Sequence, residues 1–433
     1  MVVAVVGGSA LGLVFSFGSP GAREIGRLIE RYDPRLTDTD LSVAAHDDMF
    51  RSEERTAPDR SHAAQAYFRM GLLAADACLQ IVDWRFGDLT RVGTMLDFAC
   101  GFGRSTRFLA RLFPGAVWAS DVLVDAVEFQ RDTFGVHSVV STVVPEDLQM
   151  STSFDVIFVA SLFSHLPKQT FARWLRRLYD LLTPGGVLVF SVLDEAVSPP
   201  GVTLDGDGFH FRPVSEIPSL DLADYGSTIV NERFVRAALT EATGSPAAAR
   251  IPRGLTRHQD LYVRVRADDA DYTTLRFDPG PIGHIDTAEL VPDGVRLTGW
   301  AVDDARAGVR RVEVDADGET VDFTTVLSSR PDVAAARGWD GFVLSGWELV
   351  VSGPVPPSTV IVTSAVTNSG RRWVIDASSL ADLLSGDAPG ASHPKLMSVR
   401  TWGRRLSMAR RDHHGLPSAV AAWVKKTRHR GPQ

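Results

Sequence analysis

Cysteine is nearly missing from this sequence: Cys78 and Cys100 are the only two in 433 residues. Two are too few for a disulfide framework, and a cytoplasmic compartment is the default reading. A basic field is missing as well. At a formal net charge of -8 the chain has no overall positive potential to neutralise phosphates, which argues against general nucleic-acid binding. Long apolar runs are also scarce. Residues 1–18 are uncharged, but no Lys or Arg precedes Arg23, so the basic start of a secretion signal is absent. The run is at the short limit for a membrane span, and four glycines weaken it. A disordered or wrongly assigned start, a membrane segment and a strand–glycine-loop unit all stay open for it. The rest is ordinary: 44% hydrophobic and 23% charged residues suit a globular protein of two or three domains.

What is present is organised around Met95-Leu-Asp-Phe-Ala-Cys-Gly-Phe-Gly-Arg-Ser105. A short apolar run ends in an acid, a loop of small residues follows, and a helical pattern begins at once (105–113). Such a strand–loop–helix unit lets backbone approach a ligand and aims free N–H groups at it. Glycine loops of this kind usually hold dinucleotide phosphates. Here, however, Asp97 stands inside the motif, where it would repel a pyrophosphate, and this favours a ligand with a positive end. Cys100 sits where a small residue is needed, so packing explains it better than reactivity.

The stretch resembles motif I of the class I S-adenosylmethionine-dependent methyltransferases, in the variant Leu-Asp-Phe-Gly-Cys-Gly-x-Gly-Arg. The resemblance implies that Asp97 attracts the methionine end of S-adenosyl-L-methionine and that Gly101 and Gly103 admit the cofactor against the backbone. Ala99 stands where the family usually has glycine, and its methyl would crowd the cofactor.

Beyond the loop, strands and helices alternate as in a doubly wound α/β sheet. A buried strand (116–120) ends at Asp121, about two dozen residues after Asp97, a spacing that suits one strand–helix–strand unit. A carboxylate there can accept both ribose hydroxyls of a nucleoside, or it can cap the following helix (122–134). A third strand (136–144) precedes Pro145-Glu146-Asp147, where related enzymes place an acid near the adenine amine. A fourth strand (154–160) runs into Ser161-Leu-Phe-Ser-His165-Leu-Pro167, then an amphipathic helix (168–182), Thr183-Pro-Gly-Gly186 and a fifth strand (187–193). Ser161 heads the turn as a cofactor contact. His165 is the ionisable group at that strand end that can serve as a base, although a structural, helix-capping role also fits it.

Upstream, Asp47-Asp48-Met49-Phe50 precedes a charged loop (52–60) and a helix (62–82), with Tyr67, Phe68, Gly71, Leu72, Ala75 and Leu79 at helical spacing. Downstream, residues 194–224 are rich in Pro, Gly and Asp and read as a substrate-facing insertion without regular structure. Tyr225-Gly-Ser227 leads into a helix (231–243), and Arg257-His258-Gln259-Asp260 opens an alternating strand that ends at Val265. In this order these pieces resemble a bacterial methyltransferase subfamily associated with glycan biosynthesis, in which an N-terminal helix lids the cofactor. The resemblance covers about residues 45–266 and implies Tyr225, His258 and Asp260 as substrate-pocket groups, though a turn or sheet edge would also use them.

Past an acidic linker (268–283) the texture changes to short strands with turns: 288–302, 309–314, 320–327, 342–350, 360–365 and 372–376. Asp293-Gly294 and Asp317-Gly318 are hairpin signals, and the spacing reads as a β-sandwich of about a hundred residues. Leu297-Thr-Gly-Trp-Ala301, Arg330-Pro-Asp-Val-Ala334 and Gly341-Phe342 resemble an accessory sandwich found beside bacterial glycosyltransferases. Trp300, Trp339 and Trp347 are either core or platforms for sugar rings. The tail carries Arg400, Arg404, Arg405, Arg410, Arg411, Lys425, Lys426, Arg428 and Arg430, with a basic amphipathic helix at 399–411 that can touch an anionic membrane surface or a partner.

The expected layout is an N-terminal extension (1–44), a Rossmann-like methyltransferase domain (45–267), the linker, a smaller all-β sandwich (284–380) and the basic tail (381–433). The expected activity is O-methylation of a sugar or glycan-related acceptor. No metal ligands and no nucleic-acid partner are assigned, and neither the methylated atom nor the oligomeric state is legible. A non-catalytic glycan-binding scaffold and a nicotinamide-dependent oxidoreductase are the alternatives. Asp97 and the lack of a true G-x-G-x-x-G speak against the second.

Overall fold

The computed structural model describes residues 12–214, 221–267, 270–306 and 308–386. Most of the N-terminal apolar run and the basic tail with its expected helix lie outside these residues.

The chain begins with β1 (Leu13–Phe15), α1 (Ala22–Tyr32), β2 (Val43–Ala44), α2 (Asp48–Glu54) and the long α3 (Arg60–Phe86). Asp59 starts α3 by accepting the His62 N–H at 3.0 Å, and Gly87 ends it in the left-handed conformation that helix C-termini favour. Then comes the alternating unit: β3 (Met95–Phe98), α4 (Thr106–Leu112), β4 (Val117–Asp121), α5 (Val124–Phe134), β5 (His137–Val140), β6 (Phe154–Val159), α6 (Lys168–Asp180) and β7 (Leu182–Val192). A short pair, β8 (Phe209–Arg212) and β9 (Ser227–Val230), precedes α7 (Glu232–Thr243), β10 (Ala249–Leu255) and β11 (Gln259–Val265).

The main sheet has the order β10-β11-β7-β6-β3-β4-β5. Strands β3 to β7 run parallel, and β11 and β10 return antiparallel at one edge. All four residues of β3 are buried, as a central strand covered on both faces requires. The period of two divides the sheet between two cores. Met95, Val156 and Phe158 face α3 and α4, whereas Leu96, Ile157 and Val159 face Phe171, Trp174 and Leu178 of α6 and Phe234 and Leu239 of α7. From β3 the chain winds one way to β4 and β5, then the other way to β6 and β7. The crevice at that switch, beyond the carboxyl ends of β3 and β6, is where such sheets bind ligands.

The C-terminal part is all β apart from α8 (Pro331–Arg337) and α9 (Leu380–Ser385). One antiparallel sheet holds β12 (Pro281–Val291), β13 (Gly294–Asp303) and β16 (Gly346–Ser352). The other has β15 (Glu319–Thr324), β14 (Val309–Ala316), β17 (Val360–Thr367) and β18 (Arg372–Ser379), in that spatial order. Leu297, Trp347 and Val351 of the first meet Val312, Ile361 and Ala365 of the second in one core. Asp317 and Gly318 both take positive φ, 51° and 99°, as the two-residue β14–β15 hairpin demands.

This part is docked on the helices of the first. Ile25, Leu28 and Ile29 of α1 share a core with α3 and with Val360, Val362, Val374 and Ala377. Arg31 ion-pairs Glu313 and Asp315 at 2.6 and 2.7 Å, and Tyr32 meets the Trp373 ring edge-on at 4.8 Å. Among the described residues, no helix is long and apolar enough to cross a membrane.

Several local readings are corrected. The stretch 194–224 contains β8, paired with β9, so it is not wholly irregular. The stretch 288–302, read as one strand with a hairpin signal at Asp293-Gly294, is a hairpin of two strands that turns at Pro292-Asp293. Strand β10 escaped notice because Pro252 and Gly254 break its pattern; an edge position tolerates both. Trp300 and Trp347 are core, 5% and 2% exposed, and Trp339 lies edge-on against Phe342, so none is an open sugar platform.

Candidate functional site

A cavity of about 600 Å³ opens at the switch crevice. It is lined from the β3–α4 loop (Asp97 to Ser105), the ends of β4 and β5 (Asp121 to Leu123, Ser141 to Val143) and the β6 turn (Ala160 to Leu166). Its other walls come from α2, the segment at Asp221 to Tyr225, and the β10–β11 turn.

Asp97 lies at the base, 1% exposed. One carboxylate oxygen, Oδ2, accepts from the Thr106 hydroxyl at 2.7 Å and the Ser105 hydroxyl at 3.3 Å; Oδ1 is buried with no hydrogen-bond partner among the described residues. Burial pushes this carboxyl up to about 7, against the pull of those two hydroxyls and with a further push from Asp121. A buried acceptor left unsatisfied costs about 1–3 kcal/mol, so the site is built for something that supplies the missing donor or charge.

Asp121 is 7% exposed and works within the protein. Its Oδ2 accepts the Gly101 N–H at 2.8 Å and its Oδ1 the Leu123 N–H at 2.9 Å, just ahead of α5. It thus ties the glycine loop to the next helix, with the Val122 N–H also directed at its carboxylate. Burial also raises its pKa, opposed by the backbone N–H groups it accepts.

The glycine loop needs its small residues for separate reasons. Gly101 takes φ 54° and has nothing within 4 Å of where a Cβ would stand. At Gly103, φ is 79° and a Cβ would strike the Phe134 ring at 2.6 Å. Ala99, with φ 56°, occupies the left-handed region. The usual glycine at this position is therefore a matter of backbone conformation, in addition to the space expected for a ligand. Cys100 is held between the Ser120 carbonyl and the Gln130 amide, and burial raises its thiol well above the ordinary range.

Ser161 has φ 69° and sits in a closed hydrogen-bonded ring with Ser191 and Gln259. His165 follows one turn later. Its Nδ1 lies 2.7 Å from the Gly226 carbonyl, and its ring stacks on Tyr225 at 4.4 Å with an interplanar angle of 10°. A carbonyl only accepts, so Nδ1 is the donor in this contact. His165, Tyr225 and His258 all line the cavity. Asp260 does not: Arg250 holds its carboxylate at 2.7 Å and also binds Asp194 and Glu232, while the Arg253 N–H takes its other oxygen. Glu146 is likewise outside, paired with Arg173 at the surface, and Ser141 to Val143 line the wall in its place.

Sequence reasoning passed over other lining groups. Arg104 stood within the quoted motif without a role, although it is the lining residue that carries a fixed positive charge. Asp47 caps α2 and Met49 and Glu53 lie on it; Asp47 and Met49 stood in the quoted Asp47-Asp48-Met49-Phe50 without a site role, and Glu53 fell in the stretch read as a charged loop. The signal was present: Asp47 is an N-cap, accepting from Met49 and Phe50 at 2.9 and 3.1 Å. Asp221 and Asp224 lie in the stretch read as a substrate-facing insertion, though neither was singled out. Among the described residues, no group of three His, Cys, Asp or Glu is placed to hold a metal ion.

Residues 95–186, from the start of β3 to Gly186, match the methyltransferase domain family. The chain therefore carries a methyltransferase domain, with the cavity at its ligand-binding edge. No curated protein matches the sequence. Similar solved structures include the Burkholderia thailandensis 1,6-didemethyltoxoflavin-N1-methyltransferase with S-adenosylhomocysteine, at 20% identity and a TM-score of 0.32, over 45% of this chain and 79% of that one. They also include an S-adenosylmethionine-bound amino pentose methyltransferase from Micromonospora echinaspora, at 18% identity and a TM-score of 0.33, over 46% of this chain and 92% of that one. A third, the sugar N-methyltransferase from Streptoalloteichus sp., shares 18% identity with a TM-score of 0.31, over 45% of this chain and 87% of that one.

Proposed function

We propose that this protein methylates a hydroxyl of a sugar or glycan-related acceptor, with S-adenosyl-L-methionine as methyl donor. The observation that carries the reading is the unpartnered Oδ1 of Asp97 at the base of a cavity in a methyltransferase domain. When bound, the cofactor supplies an electrophilic methyl on a sulfonium leaving group. Asp97 holds the methionine ammonium, and Arg104 offers its charge to the carboxylate at the same end. The open space at Gly101 lets the ligand lie against backbone. Asp121, lining the cavity at the end of β4, takes the ribose hydroxyls with its carboxylate.

The polar groups on the remaining walls, Thr256, His258, Gln259, Asp221 and Asp224, suit a polyhydroxylated acceptor. His165 is the general base. Its Nε2 accepts the proton of the attacking hydroxyl, while the Gly226 carbonyl and the Tyr225 ring hold the imidazole in plane. Positioning and exclusion of water supply most of the rate. Both cysteines are free thiols, in keeping with a reducing, cytoplasmic setting.

Calorimetry with S-adenosylhomocysteine tests the cofactor half. Asp121→Ala loses hydrogen bonds to a charged group, and about 10- to 100-fold weaker binding is expected. Unchanged affinity would remove the ribose assignment. Incubation with isotope-labelled cofactor and a glycan extract tests the acceptor half: label in the glycan fraction supports it, and binding without transfer favours the scaffold alternative.

A further inference from the structure

Arg257 stands between two lining residues, Thr256 and His258, yet its own guanidinium is spent outside the cavity. One terminal nitrogen donates to the carbonyls of Pro279 and Gly280 at 2.6 and 2.8 Å, where the chain enters β12. The other ion-pairs Asp304, just past β13, at 3.1 Å. The side chain is 13% exposed, so these bonds are largely shielded from water. The turn it anchors is strained. Thr256 and Arg257 are consecutive non-glycine residues at φ 51° and 59°, a conformation that persists only where the surroundings impose it. The turn lies at the start of β11, three strands from β3 in the sheet order, which is roughly 14 Å at ordinary strand spacing. It therefore walls the end of the cavity remote from the glycine loop.

We propose that Arg257 is a positioning residue, through which the C-terminal sheets fix the wall of the acceptor end of the cavity. The C-terminal part then acts on catalysis as a strut, whether or not it binds a ligand of its own. The word acceptor rests on the methyltransferase reading; the strut does not. In the strut, Asp304 and the two carbonyls give Arg257 its geometry, and Arg257 passes it to the residues on either side. A planar fork that reaches a carboxylate and two carbonyls at once is a task for arginine, and lysine cannot span it.

The test uses the full chain with Arg257→Ala, Arg257→Lys and Asp304→Ala. Hydrogen exchange in peptides covering 253–260 is expected to speed up at least tenfold in Arg257→Ala and Asp304→Ala, with 95–105 unchanged. The double variant should exchange no faster than Arg257→Ala alone, and Arg257→Lys should not restore protection. S-adenosylhomocysteine should bind all forms within twofold of the wild type. With labelled cofactor and a glycan extract as acceptor pool, the extract concentration giving half-maximal rate should rise about fivefold or more while the maximal rate holds. Unchanged exchange at 253–260 overturns the strut, as does loosening that reaches 95–105 equally or a loss of S-adenosylhomocysteine affinity. If the wild type transfers no label but the exchange pattern appears, methyl transfer to such glycans fails and the strut stands.

Discussion

Ser161 and Gln259, 98 residues apart, are joined twice: directly, and through Ser191. The Gln259 amide nitrogen donates to the Ser161 hydroxyl at 2.9 Å, the Ser161 N–H donates to the Ser191 hydroxyl at 2.7 Å, and that hydroxyl donates to the Gln259 carbonyl at 2.7 Å. The ring stitches the ends of β6, β7 and β11 together at the cavity floor. Ser191→Ala leaves one N–H and one carbonyl unmatched, so a loss of about 1–3 kcal/mol is expected in urea unfolding. Weaker S-adenosylhomocysteine binding should accompany it, and a variant as stable as wild type would show that the ring contributes little.

Asp97 should set stability against binding. Its folded pKa of about 7 lies above the ordinary carboxylate value of roughly 4. Between those values the folded protein keeps a proton that the unfolded chain has released. This group's contribution is thus most favourable below about pH 4 and declines as pH rises to 7. Asp97→Asn removes the penalty, and at pH 8 the ligand-free variant should gain up to about 4 kcal/mol. The same change should cost cofactor affinity. Wild type should bind S-adenosylhomocysteine more tightly at pH 8 than at pH 6, because the ionised carboxylate holds the ammonium; the variant should bind weakly at both. Equal binding by the two proteins would sink the assignment.

Ala99 offers a test of conformation against space. The left-handed region costs an L-residue about 1–2 kcal/mol, and glycine escapes that cost at the expense of about 0.5–1 kcal/mol of unfolded-state entropy. Ala99→Gly should therefore hold or slightly raise the urea midpoint, whereas Ala99→Val, β-branched in the same region, should lower stability by about 1–3 kcal/mol. Tighter S-adenosylhomocysteine binding by Ala99→Gly would show that the methyl also crowds the ligand.

His165→Ala should reduce the methyl-transfer rate about 10²- to 10⁴-fold, the usual weight of a general base. The S-adenosylhomocysteine affinity should stay close to that of wild type, measured by calorimetry. A rate within threefold of wild type would leave the imidazole as a wall of the cavity and nothing more.

The two-part layout was legible because it rests on local pattern. The glycine loop marks the end of β3 by residue type, and the change of period past residue 280 marks the all-β part; Thr183-Pro-Gly-Gly186, read as a turn, lies within β7. The pairing of carboxylates was not legible. Asp260 and His258 are two residues apart on one strand start, yet one turns to Arg250 and the other to the cavity. Period two would put residues two apart on the same face, but His258 still lies in the turn before β11, and the pattern says nothing of an arginine on the neighbouring strand. Nor could sequence show that α1 belongs to both parts, since its partners in the all-β part lie 282 or more residues on.

That arrangement of α1 has a consequence in time. The helix is synthesised before its cover, because part of the surface over Ile25, Leu28 and Ile29 is supplied by Val360, Val362 and Val374. Val360 follows Ile29 by 331 residues, an interval of roughly 15–65 s at a translation rate of about 5–20 residues per second. For that interval the nascent protein carries an apolar helix face without its full cover. The methyltransferase domain can close around its own sheet before then, whereas α1 must wait for β17 and β18 to leave the ribosome.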